Sequence, residues 1–178
     1  MWAKVEDSTI TGLIPRPKSM TIGDIQYPHN IFGLWSVSEL EALGIYEITI
    51  DYTNLKDKDY YNNTAITYAF SSGAATGSYG TATAKPLADL KTRHKQKVNR
   101  EAYSSLQDSD WLVIRATEGG TAVTSVWTTY RAAVRTKSND METLIDGAAN
   151  VDALAALYVY NEDDPPTRPL GEWPSKPE

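Results

Sequence analysis

The sequence contains no cysteine, and it has only two histidines and two phenylalanines among its 178 residues. Without a thiol, the chain can form no disulfide, no thiolate metal site and no cysteine nucleophile. No apolar run approaches the roughly 20 residues that cross a bilayer. The opening residues MWAKVEDSTITG also lack the apolar centre of a signal peptide. We therefore expect a protein that folds in a cytoplasm and has no membrane partner.

Basic side chains are outnumbered, with 17 Lys and Arg against 23 Asp and Glu, which gives a formal net charge of −6. A negative overall field repels phosphate backbones, so we expect no general nucleic-acid binding. The basic run KTRHKQKVNR, residues 91–100, is a local exception. On a helix such a run usually forms a solvated face.

Complete catalytic sets are missing as well. The two histidines, His29 and His94, lack the flanking residues of a hydrolase or zinc-protease motif. Carboxylate pairs such as Glu39 and Glu41 fall in a segment that we expect to be solvated, where burial cannot tune a catalytic acid. The turn DKDYYNN lacks the glycine and distal glutamate of a calcium loop. The sequence therefore predicts no enzymatic activity, no metal and no cofactor.

Tyrosine and tryptophan dominate the aromatic residues, with eleven and five copies. Both combine an apolar body with a polar tip, which suits subunit interfaces and sugar-binding surfaces. The tyrosines of the N-terminal half are therefore our candidates for partner binding. They are Tyr46, Tyr52, Tyr60, Tyr61, Tyr68 and Tyr79.

Residues 1–84 carry the period-two patterns of strands. Short strands are predicted over residues 2–5 and 10–14, and IYEITIDY alternates apolar with polar residues. TAITYAF and residues 78–84 predict a hairpin across a loop over residues 71–77. Residues 21–35 are interrupted by Gly and Pro and are predicted to be a structured loop, followed by a short helix capped by Ser36 or Ser38. We predict an antiparallel sheet of three or more strands.

From Pro86 onward the period becomes helical. Leu90, Val98 and Ala102 belong to one apolar stripe that predicts a helix over about residues 86–106. NVDALAALY predicts another short helix, and the five prolines of residues 161–178 favour an extended tail. We expect Trp173 in this tail to pack on its own protein or on a partner. The fold class is therefore α+β, with a β-rich part at 1–84, helices at 85–160 and the tail at 161–178.

Residues 108–135, DSDWLVIRATEGGTAVTSVWTTYRAAVR, predict two further helices separated by Gly119 and Gly120. Asp108 or Ser109 is the candidate cap of the first helix, and Thr124 or Ser125 that of the second, which extends to about residue 147. We expect the helices at 86–106 and 125–147 to pack antiparallel.

The polar and aromatic residues of this stretch form a candidate structural motif. Arg115 lies one turn beyond Trp111 and can stack on its indole, and Asp110 favours the positive end of the helix dipole. Arg131 and Arg135 lie beside the apolar face that contains Trp127 and Tyr130. We expect both tryptophans to be core residues at the junction of the helices.

The pattern of Asp110, Trp111, Arg115 and Glu118, followed by WTTYRAAVR at residues 127–135, resembles the helical region of bacteriophage tail-fibre assembly and tail assembly chaperone proteins. Residues 14–48 and the terminal GEWPSKPE resemble small tail-associated proteins of marine phages. The resemblance implies a protein that binds a phage tail fibre or another tail protein and helps the fibre to fold and trimerise. It also implies a location in the host cytoplasm during assembly or in the virion tail.

Three functional hypotheses follow. The protein is a stoichiometric fibre-assembly factor, a permanent minor structural protein of the tail or fibre, or a receptor- or glycan-binding module at the fibre tip. For the first, we expect the tyrosines of the N-terminal sheet to contact the fibre. A homo-oligomer, or a complex with a trimeric fibre, is the expected assembly.

Overall fold

The computed structural model describes residues 1–177, which divide into two compact units, Met1–Thr83 and a second unit that starts at Ala84. The strands lie in the N-terminal part and the long helices follow, so the predicted α+β class with a β-rich N-terminal sheet is confirmed. The strands are β1 Trp2–Glu6, β2 Thr9–Ile14, β3 Met20–Ile22, β4 Ile25–Tyr27, β5 Ile45–Asp51, β6 Tyr61–Asn62, β7 Ile66–Ser71, β8 Ala74–Tyr79 and β9 Thr83–Ala84. The helices are α1 Ile31–Leu34, α2 Val37–Ala42, α3 Leu87–Gln107, α4 Asp110–Thr117, α5 Ser125–Gly147 and α6 Val151–Ala156.

The main sheet is mixed, with strand order β2-β1-β5-β8-β7. Strands β2, β1 and β5 pair antiparallel, as do β7 and β8, but β5 and β8 run parallel. The prediction of an antiparallel sheet is therefore wrong at this pair. The chain leaves β5, returns along the edge as β7, and then inserts β8 between them, so β8 follows the direction of β5.

The β7–β8 hairpin has a tighter turn than the predicted loop at residues 71–77. Ser72 and Gly73 both have positive φ, 51° and 79°, as in the two-residue turns that match strand twist. The strand therefore begins at Ala74. A Cβ built on Gly77 would lie 2.7 Å from the side chain of Ile50 and 3.0 Å from that of Tyr68, so a larger residue there would displace these side chains. The small residues of β8 resemble a loop in the sequence. They can form a strand because larger side chains of the neighbouring strands fill the space beside them.

Two apolar clusters lie on the two faces of this sheet. One contains Ala3, Val5, Ile48 and Ala75, and the edge strands β2 and β7 approach within 8 Å of each other, which shows that the sheet curls. The other is the set Ile14, Ile31, Leu40 and Ile45, against which β3, β4, α1 and α2 supply side chains. The segment predicted as a structured loop over residues 21–35 thus contains two short strands and a helical turn, which the sequence did not predict.

The helical unit is built on α3 and α5. Tyr130 Oη donates to Ser105 O at 3.3 Å near one end of the pair, and Lys91 Nζ donates to Asp146 O at 2.8 Å near the other. The first contact joins the end of α3 to the start of α5, and the second joins the start of α3 to the end of α5. The predicted antiparallel packing is therefore confirmed. The buried apolar side chains of the helical unit include Val98, Val134, Met141, Ile145 and, from α6, Leu154, and Ser138 of α5 is buried as well.

Candidate functional site

The six candidate tyrosines do not form one exposed surface. Tyr60 is buried, and Tyr46 and Tyr68 pack against the cluster inside the curled sheet. Tyr46 lies 4.5 Å from Phe70 between ring centroids. Tyr60 is therefore covered, whereas Tyr46 and Tyr68 are half-buried and their role in partner binding stays a prediction. Tyr46 in β5 and Tyr68 in β7 lie on the face that the curl of the sheet encloses.

Of the three remaining tyrosines, one is exposed and two are half-buried. Tyr52 is 60% exposed, and its ring centroid lies 6.1 Å from that of Tyr79, which is half-buried. Tyr61 is also half-buried. Tyr52 is therefore the one largely exposed residue of the six candidates, and it lies beside Tyr79.

Arg131 forms the centre of the structural motif in the helical unit. Its guanidinium is buried and donates to Leu106 O at 3.0 Å, to Ser109 Oγ, and to Asp110 Oδ1 at 2.8 Å. These acceptors lie at the end of α3 and the start of α4, so one side chain of α5 fixes the corner between the two helices. Charge-assisted bonds of this kind are stronger than neutral ones. Arg135, four residues later, is exposed and does not share this role.

The predicted helix caps are only partly correct at this corner. Ser109 occupies the N-cap position of α4, but its hydroxyl donates to Leu106 O at 2.8 Å and caps no amide. Asp108 ends α3, and Thr124 precedes α5 without a side-chain cap. Gly119 ends α4 with a φ of 85°, as predicted for a glycine stop.

Helix α4 presents apolar side chains to solvent. Trp111 is 56% exposed, Val113 39% and Ile114 58%, and α4 has no buried residue. We call Trp111 and Ile114, which lie three residues apart on one side of the helix, the α4 face. The prediction that Trp111 is a core residue is wrong, because the side of α4 turned inward carries the half-buried Leu112 and Ala116 instead.

Arg115 acts on Trp111 as the sequence predicts. Its guanidinium carbon lies 4.8 Å from the centroid of the indole, within the range of a cation–π contact. Gly120 N donates to Arg115 O at 2.9 Å and closes the end of α4. The orientation of Trp111 is therefore set by its own helix, while its outer surface remains accessible.

Trp127 behaves as predicted and packs at the α3–α5 junction. It is half-buried and meets Tyr130 edge to face, with ring centroids 5.8 Å apart. Both residues belong to the cluster around Ala102 and Val134. Trp127 and Trp111 therefore have different roles, although the sequence pattern made them equivalent.

The C-terminal tail contributes Trp173 to the same cluster. Trp173 Nε1 donates to Glu101 Oε2 at 2.9 Å, and Lys176 Nζ donates to Asp108 Oδ2 at 2.6 Å. The Asp108 carboxylate raises the pKa of Lys176 by this hydrogen bond and by its charge. The segment GEWPSKP thus lies along α3, close to the corner between α3 and α4.

The tail is held at a second point, near α6. Arg168 Nε lies 2.8 Å from Glu172 Oε1, and its guanidinium carbon lies 5.2 Å from the ring of Tyr160. Tyr160 Oη donates to Glu172 Oε1 at 2.8 Å, and this hydrogen bond raises the pKa of Tyr160. Leu170 lies between Arg168 and Glu172 in the sequence. Its side chain is buried, and its backbone amide donates to Leu157 O.

Among residues 1–177, no group of three or more His, Asp or Glu side chains is arranged to hold a metal ion. None of the helices in that range combines the length and apolar composition needed to cross a bilayer.

Comparison of the chain with protein-family models, curated proteins and solved structures gave no match. The functional interpretation therefore depends on the geometry above and on the sequence resemblance.

Proposed function

We propose that this protein acts stoichiometrically by binding another protein through the α4 face, and that the partner is a phage tail fibre or another tail protein. The observation that carries the proposal is the exposure of Trp111, Val113 and Ile114 on one short helix. Clustered apolar side chains in water mark interaction surfaces more often than isolated ones do. Tryptophan is also enriched among the residues that dominate binding energy.

The α4 face is supported by a fixed scaffold. Arg131 bonds to both sides of the α3–α4 corner, and Arg115 stacks on Trp111. A surface that is ordered before binding loses less conformational entropy on association than a mobile one. This arrangement suits a binding protein, whose function requires no chemistry at the contact.

The choice of a tail protein as partner is supported by the resemblance. The two C-terminal segments that carry it, residues 127–135 and GEWPSKPE, meet in the same cluster through Trp127, Tyr130 and Trp173. These two segments thus belong to one structural unit, whereas residues 14–48, which also carry the resemblance, lie in the first unit. In this proposal the helical cluster is the scaffold and the α4 face is the contact surface.

Co-expression with the tail-fibre protein of the same virus tests the proposal. We expect the protein to raise the yield of soluble, trimeric fibre, measured by size-exclusion chromatography with light scattering. Ile114→Asp places a charge in the α4 face and should abolish the increase. Thr143→Asp, at an exposed polar position of α5, should preserve it.

Circular dichroism of both variants provides the folding control. If Ile114→Asp folds and still rescues the fibre, the α4 face is not the contact surface. If the wild type neither binds a tail protein nor changes the fibre yield, the assembly proposal fails. Recovery of the protein in fixed ratio from purified virions would favour the permanent structural role instead.

A further inference from the structure

A separate pocket lies in the first unit, on the outer face of the sheet where α1 and α2 meet. It has a volume of about 210 Å³ and is lined by three aromatic rings, those of Trp2, Phe32 and Trp35. Its floor is formed by Leu40 and Ile45, which are buried. We call it the aromatic pocket.

The rings of the aromatic pocket are held by their neighbours. The centroid of Trp2 lies 4.7 Å from that of Phe32, and Trp35 meets Tyr27 edge to face at 5.7 Å. Trp35 directly precedes Ser36, whose backbone and side chain form a reciprocal capping box at the start of α2. The pocket is therefore shaped before any ligand enters.

One carboxylate lies at the rim. Glu47 stands opposite Trp2 in the β1–β5 register and lines the aromatic pocket. Its side chain has no ion pair or hydrogen bond with any other residue in the range 1–177. Lys4, on the same face of β1, donates instead to Leu43 O at 2.9 Å and pairs with Glu6 at 3.6 Å. The charge of Glu47 is thus left for a ligand.

The aromatic rings of the pocket and the Glu47 carboxylate both favour a positively charged ligand. The face of an aromatic ring carries negative charge density and attracts a cation, and Glu47 adds a full negative charge. Residues 1–83 also contain nine acidic and five basic side chains, so the field of the unit attracts cations. The ligand chemistry indicated is an alkyl chain that ends in a positive charge.

Size and surroundings indicate the source of that cation. The volume is below the range of about 300–1,000 Å³ that is typical of small-molecule sites, and it matches a single side chain. Val37 belongs to the lining and is 59% exposed, and Leu34, next to Trp35 in the sequence, is 75% exposed. A free metabolite would leave these apolar side chains in water, whereas a peptide segment would cover them.

We propose that the aromatic pocket binds a lysine side chain of a partner protein, with its ammonium group beside Glu47 and apolar neighbours of that lysine against Leu34 and Val37. This function goes beyond fibre assembly through the α4 face. Because it is tested with free peptides on the full-length chain, its outcome is independent of the co-expression result.

The test uses the blocked peptide acetyl-Leu-Lys-Leu-amide and the same peptide with norleucine, which has the same chain without the charge. Binding is followed by the indole N–H resonances of the five tryptophans. We expect the lysine peptide to shift Trp2 and Trp35 but not Trp111, and to bind about tenfold more tightly than the norleucine peptide. Glu47→Gln should remove that preference, whereas Asp24→Asn, at an exposed position outside the pocket, should preserve it.

Several results would overturn the proposal. Equal binding of both peptides would make the pocket simply apolar. Shifts of Trp2 and Trp35 by choline that match those by the lysine peptide would assign it to a free quaternary ammonium. Shifts by glucose alone would assign it to a sugar, and uniform shifts of all five tryptophans would indicate binding without a site.

Discussion

The two units place their aromatic side chains differently. In the first unit, several large rings pack against each other in pairs, as in Tyr46 with Phe70 and Trp2 with Phe32, and Tyr52 is the ring left mostly exposed at the sheet. In the second unit, Trp127 packs inward while Trp111 lies on the outer surface of α4. The difference shows that a periodic pattern identifies residues that share a face but leaves open whether another element covers that face.

The largest expected effect concerns the core that the helical unit shares between its helices. Ile145 is fully buried, so Ile145→Ala should lower the free energy of unfolding by about 2–5 kcal/mol through lost contacts and a cavity. The adjacent Leu144 is 40% exposed, and Leu144→Ala should cost less than about 1 kcal/mol. Urea unfolding followed by circular dichroism measures both values. Equal losses would contradict the division between covered and uncovered positions.

A smaller loss is expected at the α3–α4 corner. Arg131→Met removes the bonds to Leu106 O, Ser109 Oγ and Asp110 Oδ1 and should cost about 2–3 kcal/mol. Arg135→Met is the matched control one turn away, and it should change stability by less than about 0.5 kcal/mol. Chemical denaturation again supplies the measurement. If the two variants are equally stable, the buried guanidinium does not fix the corner.

The two tryptophans of the motif provide a direct comparison of covered and uncovered rings. Trp127→Ala should cost about 2 kcal/mol, less than a fully buried ring, because Trp127 is half-buried against Tyr130. Trp111→Ala should cost about 0.5 kcal/mol or less. Melting temperatures of the two variants make the comparison. A larger loss at Trp111 would mean that α4 is packed against the protein.

The smallest effect is a pH dependence in the first unit. The side-chain hydrogen bond from Ser36 and the bond from its backbone amide lower the pKa of Glu39. A lowered pKa in the folded state stabilises the fold above the ordinary value of 4.5, and this contribution is lost as the pH falls through the lowered pKa. We expect Ser36→Ala to move the pKa of Glu39 upward in an NMR titration. An unchanged titration midpoint would show that the capping box does not form in solution.

Local features of the fold were predictable from the sequence, whereas long-range pairing was not. The helix stop at Gly119 and the α2 cap at Ser36 depend on neighbouring residues, and both are confirmed. The parallel pairing of β5 with β8 and the glycine at position 77 depend on strands distant in the chain. No local pattern distinguishes such a strand from a loop of small residues.

The candidate site follows the same division. Arg115 over Trp111 is a contact between neighbouring turns and was predictable from their spacing. The bonds of Arg131 cross between helices, and the exposure of Val113 and Ile114 depends on the absence of a covering element in the described chain. One signal was available in the sequence. The short helix α4, DWLVIRAT, is unusually apolar, and the helix that follows it carries Arg131 and Arg135.

Site-specific photo-crosslinking in the presence of the co-expressed tail fibre tests the central claim most directly. A photo-reactive phenylalanine analogue is placed in turn at the positions of Ile114, Thr117 and Tyr52, and adducts with the fibre are identified by mass spectrometry. The account predicts strong adducts from position 114 in the α4 face and none from position 52 on the sheet. Adducts from position 52 with none from position 114 would contradict it and return the contact surface to the tyrosines of the first unit.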